Sequence, residues 1–503
     1  MQHRPSTLKA TILSHVVVNS TGTVLSLAAH AVLLTWLIRD LGLAAYGVYA
    51  LATAMALQFH LFEDSLGSWI TREVARERDP AALSPRLGGA LALHALLGLP
   101  VLSLVAVLTV FGLRGQGPAV VGLALAVGGA GFGFELLGTF ARKMLEGRER
   151  FGLIKSIQVT SLLLRLAGIA AVRFLAPGAD RLTAYALVFL ASVACQTAVS
   201  VLVVRAVFGP LPRPVLRGAL PVWRAAARFG APIFGVKCTT LLSGRLDLWI
   251  VASLLTPADV GVYGIATRLY GLVLQAIEVS RSFILPLAVR LRHELSPARF
   301  HDFFLRATSL STLLTFGAAT VVALNAAPVI RLWLGPAALA AVTPLLLLLA
   351  FAMTAAFRSV GQTVLLAEGR FGVLLAPFVT AGVINFGVSV AASLAWGVAG
   401  PALGTLVGGA VLLGWNVPRI LRVLGVAPAA YVRTTGPDVL VWLAAAAAGY
   451  AIGLVVAGVP GLIAATTAYL GAHALLFFTC LLNRADRAFL LGMLRSRERS
   501  LAA

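Results

Sequence analysis

Apolar stretches of about 18 to 27 residues, each long enough to cross a hydrocarbon layer of about 30 Å, recur along nearly the whole chain. Six lie between residues 12 and 204, six between 230 and 418, and a last pair at 439–457 and 461–482. Their length and their lack of period-two alternation select helices over barrel strands. A chain that is 59% hydrophobic and only 12% charged has too little polar surface to cover a soluble body of 503 residues. The expected class is an all-α integral membrane protein. Asn19, Ser20 and Thr21 interrupt the first apolar run, so it reads as a membrane helix rather than a cleaved signal peptide.

Two words in this pattern occur twice. "YGVYALAT" from Tyr46 to Thr53 returns as "VGVYGIAT" from Val260 to Thr267, and "EGRERFG" from Glu146 returns in shortened form as "EGRFG" from Glu368, both after roughly 220 residues. Their common order and spacing mark a duplicated half. Because six spans precede the second half, both halves start on the same side of the membrane, as parallel repeats. The expected organisation is an N-terminal six-helix bundle (1–206), an amphipathic interfacial linker (207–229), and a C-terminal six-helix bundle (230–418). A final region (419–503) carries a basic loop, two further spans and a basic tail. Prolines 210, 212, 214 and 221 break the linker, and Arg217, Arg224 and Arg228 then recur at helical spacing beside Trp223.

A net charge of +21 suggests nucleic acid only until the charges are located. They fall in alternate loops at 72–86, 142–155, 205–228, 290–306 and in the tail from 484. This asymmetry orients both termini toward the cytoplasm and places a basic surface against anionic lipid. No nucleic-acid partner is expected. The loops on both sides are too short for a catalytic domain, so transport is expected rather than enzymatic catalysis, with no catalytic residues.

The segment "NSTG … LIRDLGLAAYGVYALA" (19–52) resembles the opening of bacterial polysaccharide flippases, which belong to the multidrug/oligosaccharidyl-lipid/polysaccharide (MOP) exporter superfamily. "DLWIVASLLTPADVGVYGIATRLYGLVLQAIEVSRSFILPLA" (247–288) is similar to that family's seventh and eighth helices, and "PVIRLWLGPAALAAVTPLLLLLA" (328–350) to its ninth-to-tenth region. The resemblance implies two six-helix bundles around a central cavity, with about 14 transmembrane helices once the C-terminal pair is counted. It also implies a bacterial inner-membrane protein that flips an undecaprenyl-diphosphate-linked oligosaccharide by alternating access. Polysaccharide polymerase and glycosyltransferase machinery are the implied partners.

Charges inside the spans are the candidate site. A lipid-facing Arg or Lys at mid-span costs about 2.5 to 3.5 kcal/mol, so Arg165, Lys237, Arg245, Arg268 and Arg358 are expected to face protein or a water-filled cavity. Arg forks hold phosphate oxygens in pairs and Lys supplies a compact charge, the chemistry that a diphosphate needs. Lys237 and Arg245, eight apart, share a face of their helix with no acid on it, whereas three others have a packing alternative: Arg165 shares a face with Gln158 and Ser161, Arg268 with Gly264 and Gly271, and Arg358 with Gln362. Glu63, Asp64, Glu135, Asp247 and Glu278 are candidates for coupling to a proton or Na+, although Arg281, three residues on, offers Glu278 a neutralising partner. Asp64 and Gly67 resemble the family's acid–glycine position with one extra residue between them. No cofactor is expected, and neither the eight histidines nor the three cysteines make a metal-binding pattern.

Three alternatives stand beside the flippase. A peptidoglycan-precursor flippase would differ in its sugar, and a cation-coupled multidrug exporter of the same superfamily would want a more acidic cavity. A non-transporting membrane scaffold would tolerate loss of the intramembrane charges.

Overall fold

The computed structural model describes residues 5–57, 65–240, 246–281, 296–456 and 458–481. All regular structure in these ranges is helical. The helices are α1 (Pro5–Leu57), α2 (Leu66–Arg76), α3 (Pro80–Gly112), α4 (Pro118–Gly147), α5 (Phe151–Leu175), α6 (Arg181–Phe208), α7 (Leu220–Thr240) and α8 (Asp247–Leu254). They continue as α9 (Pro257–Arg281), α10 (Pro297–Leu334), α11 (Val342–Ala367), α12 (Phe371–Trp396), α13 (Gly400–Leu424), α14 (Pro428–Val455) and α15 (Gly458–Leu476). Ten stretches among the described residues are long and apolar enough to span a membrane. In hydrocarbon every backbone amide must be satisfied within the protein, which leaves helices as the outcome for runs of this length.

The sequence sets where the helices begin. Pro80, Pro118, Pro297 and Pro428 stand in first turns, where a missing N–H costs nothing. Asp79 and Asp180 cap α3 and α6 by accepting from Ala81 N and Leu182 N at 3.0 and 3.2 Å. Helix α1 holds the first span and the start of the second; it turns at Gly42, whose φ of 71° suits a residue without a Cβ. Helix α10 is 38 residues long, about 57 Å, so its start extends well beyond the hydrocarbon and takes in residues 297–306, expected as loop. Helix α7 already starts at Leu220, so the arginine-bearing end of the linker is its first turns rather than a separate interfacial helix.

The chain divides into two compact units. The first comprises residues 1–268 and 378–408. One of its apolar clusters joins α2, α4, α5 and α6 through Trp69, Ile70, Phe140, Met144, Ile157 and Val204, all buried. Asp40 ties α1 to α5 and α6: Arg173 donates to its carboxylate, the Tyr185 hydroxyl donates at 2.5 Å, and Arg181 lies at 3.2 Å. The second unit comprises 269–377 and 409–503. There α10 is bound to α14 and α15 by polar side chains. Trp442 Nε1 donates to Thr320 Oγ1 (2.6 Å), Asn325 Nδ2 to Thr466 Oγ1 (2.8 Å), and Ser309 Oγ to Asp438 Oδ1 (2.9 Å). Such bonds hold membrane helices together where no hydrophobic effect acts between them.

Both repeated words have a structural cause. Gly47 and Gly261 pack reciprocally: a Cβ on Gly47 would collide with the carbonyl of Pro257, and one on Gly261 with the carbonyl of Leu43. Each glycine thus meets the residue four positions before its counterpart, which makes the contact between α1 and α9 locally two-fold. The second word is a helix-ending turn. Arg150 N bonds to Leu145 O (3.0 Å) and Glu149 N to Glu146 O (2.9 Å); Arg370 N bonds to Leu365 O (2.9 Å) and Gly369 N to Leu366 O (3.1 Å). These are two copies of a Schellman motif, with Glu149 (φ 59°) and Gly369 (φ 71°) in the left-handed position. The equivalence aligns "RFG" with "RFG", so no shortening is needed.

Candidate functional site

A group of cations converges inside the first unit. Arg165, on α5, is held by its own seam: Nε donates to Ser192 Oγ (2.9 Å), and the guanidinium lies over the Phe189 ring, 4.6 Å from its centroid. Ser161 Oγ donates to Ser192 O (2.9 Å) and fixes the same stretch of α6. Arg165 and Ser161, which share a face of α5, thus both bind Ser192 of α6. The Arg165 head group interacts electrostatically with Tyr49 and with Arg268 of α9. Arg268 is exposed and lies beside the Tyr46 hydroxyl. Lys155, from the first turn and a half of α5, joins them: His30 lies within electrostatic reach of Lys155, Arg165 and Arg268 together. The His30 ring is anchored by Nδ1 to Ser26 O at 2.7 Å. Glycine matters at one further point, since a Cβ on Gly22 would stand 2.8 Å from Lys155 Cε.

Glu135 also acts on Arg165, but it is already engaged. Arg142 Nη2 lies 2.7 Å from Glu135 Oε2 and 2.7 Å from Thr139 Oγ1, and both charged side chains are buried. Three cations therefore share a locality in which the nearby carboxylate is neutralised within its own helix. Like charges held together favour an anion between them.

A second locality gathers oxygens. Asp247, 1% exposed at the start of α8, accepts from Tyr263 Oη (2.6 Å) and Thr405 Oγ1 (3.1 Å). Next to Thr405, Gly404 packs against Asn385 and Ser389, and Ser389 Oγ donates to Asn385 Oδ1 (2.9 Å) and lies 3.4 Å from Pro401 O. Asn385 and Ser389 are fully buried. Asp247 is thus a buried carboxylate bound by two hydroxyls, a group of the kind that takes up a proton or a cation inside membrane helices, while the Asn385–Ser389 contact beside Gly404 packs α12 on α13. Among the described residues no group of three His, Cys, Asp or Glu side chains could hold a metal ion.

The structure brings Arg165 and Arg268 together. It puts Arg358 in the second unit, buried, with its guanidinium 5.7 Å from the Phe351 ring centroid. Lys237 and Glu278 lie on α7 and α9. Glu63, Asp64 and Arg245 lie outside the described residues. Sequence reasoning missed Lys155 and Arg142, both counted as loop charges, and Asp40, which passed as part of a short outer loop. The signal for Arg142 was available: seven residues from Glu135 is two helical turns along one face.

A bundle of apolar helices with charged groups buried in its interior is the architecture of a multi-pass membrane protein, and solved structures share this fold. The fold is similar to the lipid II flippase MurJ in an inward closed conformation, with a TM-score of 0.71, 12% identity, and coverage of 92% of this chain and 99% of that one. It is also similar to an inward-facing multidrug resistance MATE family transporter of the MOP superfamily (TM-score 0.56, 14% identity, 82% of this chain and 94% of that one). A MOP superfamily transporter from Pyrococcus furiosus, described as having a binding pocket of reverse polarity, matches equally well (TM-score 0.56, 14% identity, 82% and 95%). The fold is thus that of the MOP superfamily. The profile of the polysaccharide biosynthesis protein family matches residues 12–291, more than half of the chain, and the chain belongs to that family. No curated protein sequence matches it significantly.

Proposed function

We propose that this protein flips an undecaprenyl-diphosphate-linked oligosaccharide from the inner to the outer leaflet of the bacterial inner membrane by alternating access. The observation that carries this reading is the convergence of Lys155, Arg165 and Arg268 on one locality whose carboxylate is paired elsewhere. A diphosphate brings the opposite charge. Arg165, pre-aimed by Ser192 and Phe189, spends little rotamer entropy on a charge-assisted bond, and exposed Arg268 approaches the same anion through the other repeat. The polyprenyl tail stays in lipid throughout, so only the polar head is shielded from hydrocarbon. Asp247 is the proposed coupling group. It is a buried carboxylate able to take a proton or Na+, and Tyr263 and Thr405 orient it.

The test is flipping of a labelled undecaprenyl-diphosphate oligosaccharide in proteoliposomes. Arg165→Ala and Arg268→Ala are each expected to slow flipping at least tenfold while the protein stays folded. Wild-type flipping no faster than empty liposomes, with uptake of organic cations instead, would replace the proposal with a multidrug exporter. A peptidoglycan-precursor lipid is a second reading, favoured by the likeness to the lipid II flippase. It offers the same diphosphate to the same cations, and running both lipids in one assay separates the two.

A further inference from the structure

At the end of the first unit that carries the basic loops, a cavity of about 240 Å³ lies away from the cation group described above. Its floor is made of buried Leu83 and Leu87 of α3 and Met144 of α4, and its walls are Phe208 at the end of α6 and Pro210 and Pro212 of the α6–α7 linker. Exposed Ser84 stands at its edge. The linker is fastened there. Val215 N donates to Gly88 O (3.1 Å), the Trp223 indole donates to Gly89 O (2.8 Å), and Gly88 has no room for a Cβ beside the carbonyl of Arg213. The slot is therefore built by three elements.

Charge surrounds this apolar slot on the linker side. The Arg148 guanidinium sits 5.4 Å from the centroid of the Phe208 ring and donates to Glu77 O (3.2 Å). Arg205 in the last turn of α6 and Arg213 and Arg217 in the linker are exposed and form no ion pair among the described residues. Of the acids at this end, Glu73 pairs with Arg72 and Arg86, Glu146 with Lys143, and Asp79 caps α3, while Glu149 beside Arg148 is exposed. Leu216 (67% exposed) and Leu220 (53%) on the same segment are the side chains of a strip at a lipid boundary, not in water.

We propose that this slot is a binding site for an anionic phospholipid, with one acyl chain end in the cavity and the headgroup phosphate on Arg205, Arg213 and Arg217. The volume is below that of pockets that enclose a whole drug-sized ligand, which suits a single chain inserted from the bilayer. Basic pockets at the cytoplasmic side of helical membrane proteins take anionic headgroups on the same electrostatic grounds.

Thermal unfolding of the detergent-solubilised full-length chain tests this, with phosphatidylglycerol and phosphatidylcholine of matched chains added in turn. The expected result is a rise of several degrees in the unfolding midpoint with phosphatidylglycerol and none with phosphatidylcholine. Ser84→Trp, which fills the mouth, and the exposed triple variant Arg205→Gln, Arg213→Gln, Arg217→Gln should each abolish the rise. Since the triple variant leaves the core untouched, it keeps the test decisive if Ser84→Trp does not fold. Equal rises with both lipids, retention of the rise in the triple variant, or a larger rise with undecaprenyl phosphate would overturn the proposal.

Discussion

Glu149 occupies a left-handed position that its counterpart in the other half fills with Gly369. A residue with a Cβ pays about 1 to 2 kcal/mol for that conformation. Glu149→Gly is therefore expected to raise the stability of the protein by about 1 kcal/mol, and Gly369→Glu to lower it by about as much, read as opposite shifts of the unfolding midpoint. The Glu135–Arg142 pair makes a stronger demand. Removing the acid leaves a buried guanidinium without its counter-charge, at a cost of about 3 to 5 kcal/mol. Glu135→Ala should lower the midpoint sharply, whereas Glu135→Ala with Arg142→Met should recover part of the loss. The sequence announced Glu135 as an acid in a membrane span but hid its partner. The apolar run ends near residue 140, so Arg142 looked like a loop charge, although the helix runs on to Gly147. Lys155 was hidden by the same edge, since hydropathy falls where headgroups begin while helical hydrogen bonding continues.

The helices themselves were legible because apolar runs in a bilayer have few other options, but their ends were not. Residues 297–306 and 428–438 contain polar groups that hydropathy assigns to loops, and both are helical from a proline in the first turn onward. In the latter stretch Tyr431 donates to Phe357 O and Asp438 accepts from Ser309, partners more than 70 residues away in sequence that no local pattern encodes. The repeated words were visible as repetition, while their reasons, a helix crossing and a chain reversal, needed coordinates. The crossing yields a prediction at this scale. Gly47→Ala or Gly261→Ala sets a methyl against a carbonyl and should destabilise the packing of α1 on α9 by about 1 to 3 kcal/mol. A thiol at buried Val48 (Val48→Cys) is then expected to react with maleimide several-fold faster than in the glycine background, and unchanged reactivity would count against the contact.

For the whole molecule, the basic segments at 72–86, 142–155 and 205–228 predict a cytoplasmic C-terminus: a C-terminal fluorescent-protein fusion should fluoresce and a C-terminal alkaline phosphatase fusion should stay inactive. Coupling is the second prediction at this scale. Asp247→Asn keeps a hydrogen-bond acceptor for Tyr263 but removes the charge, so flipping should lose its dependence on a Na+ or proton gradient while lipid binding persists. The repeat order leads to an expectation of parallel halves. The grouping of residues 378–408 with the first unit was not legible in the sequence, because it depends on contacts between segments far apart in the chain. The mutual seating of Gly47 and Gly261 couples the two sides of the α1–α9 crossing. In a contact that reproduces itself when its two sides are exchanged, lifting the carbonyl of Pro257 off Gly47 also lifts that of Leu43 off Gly261. As in an isologous dimer, the same patch is offered from both sides. Duplication thus gave this crossing two matching seats, so that a change made at either glycine is felt by both helices.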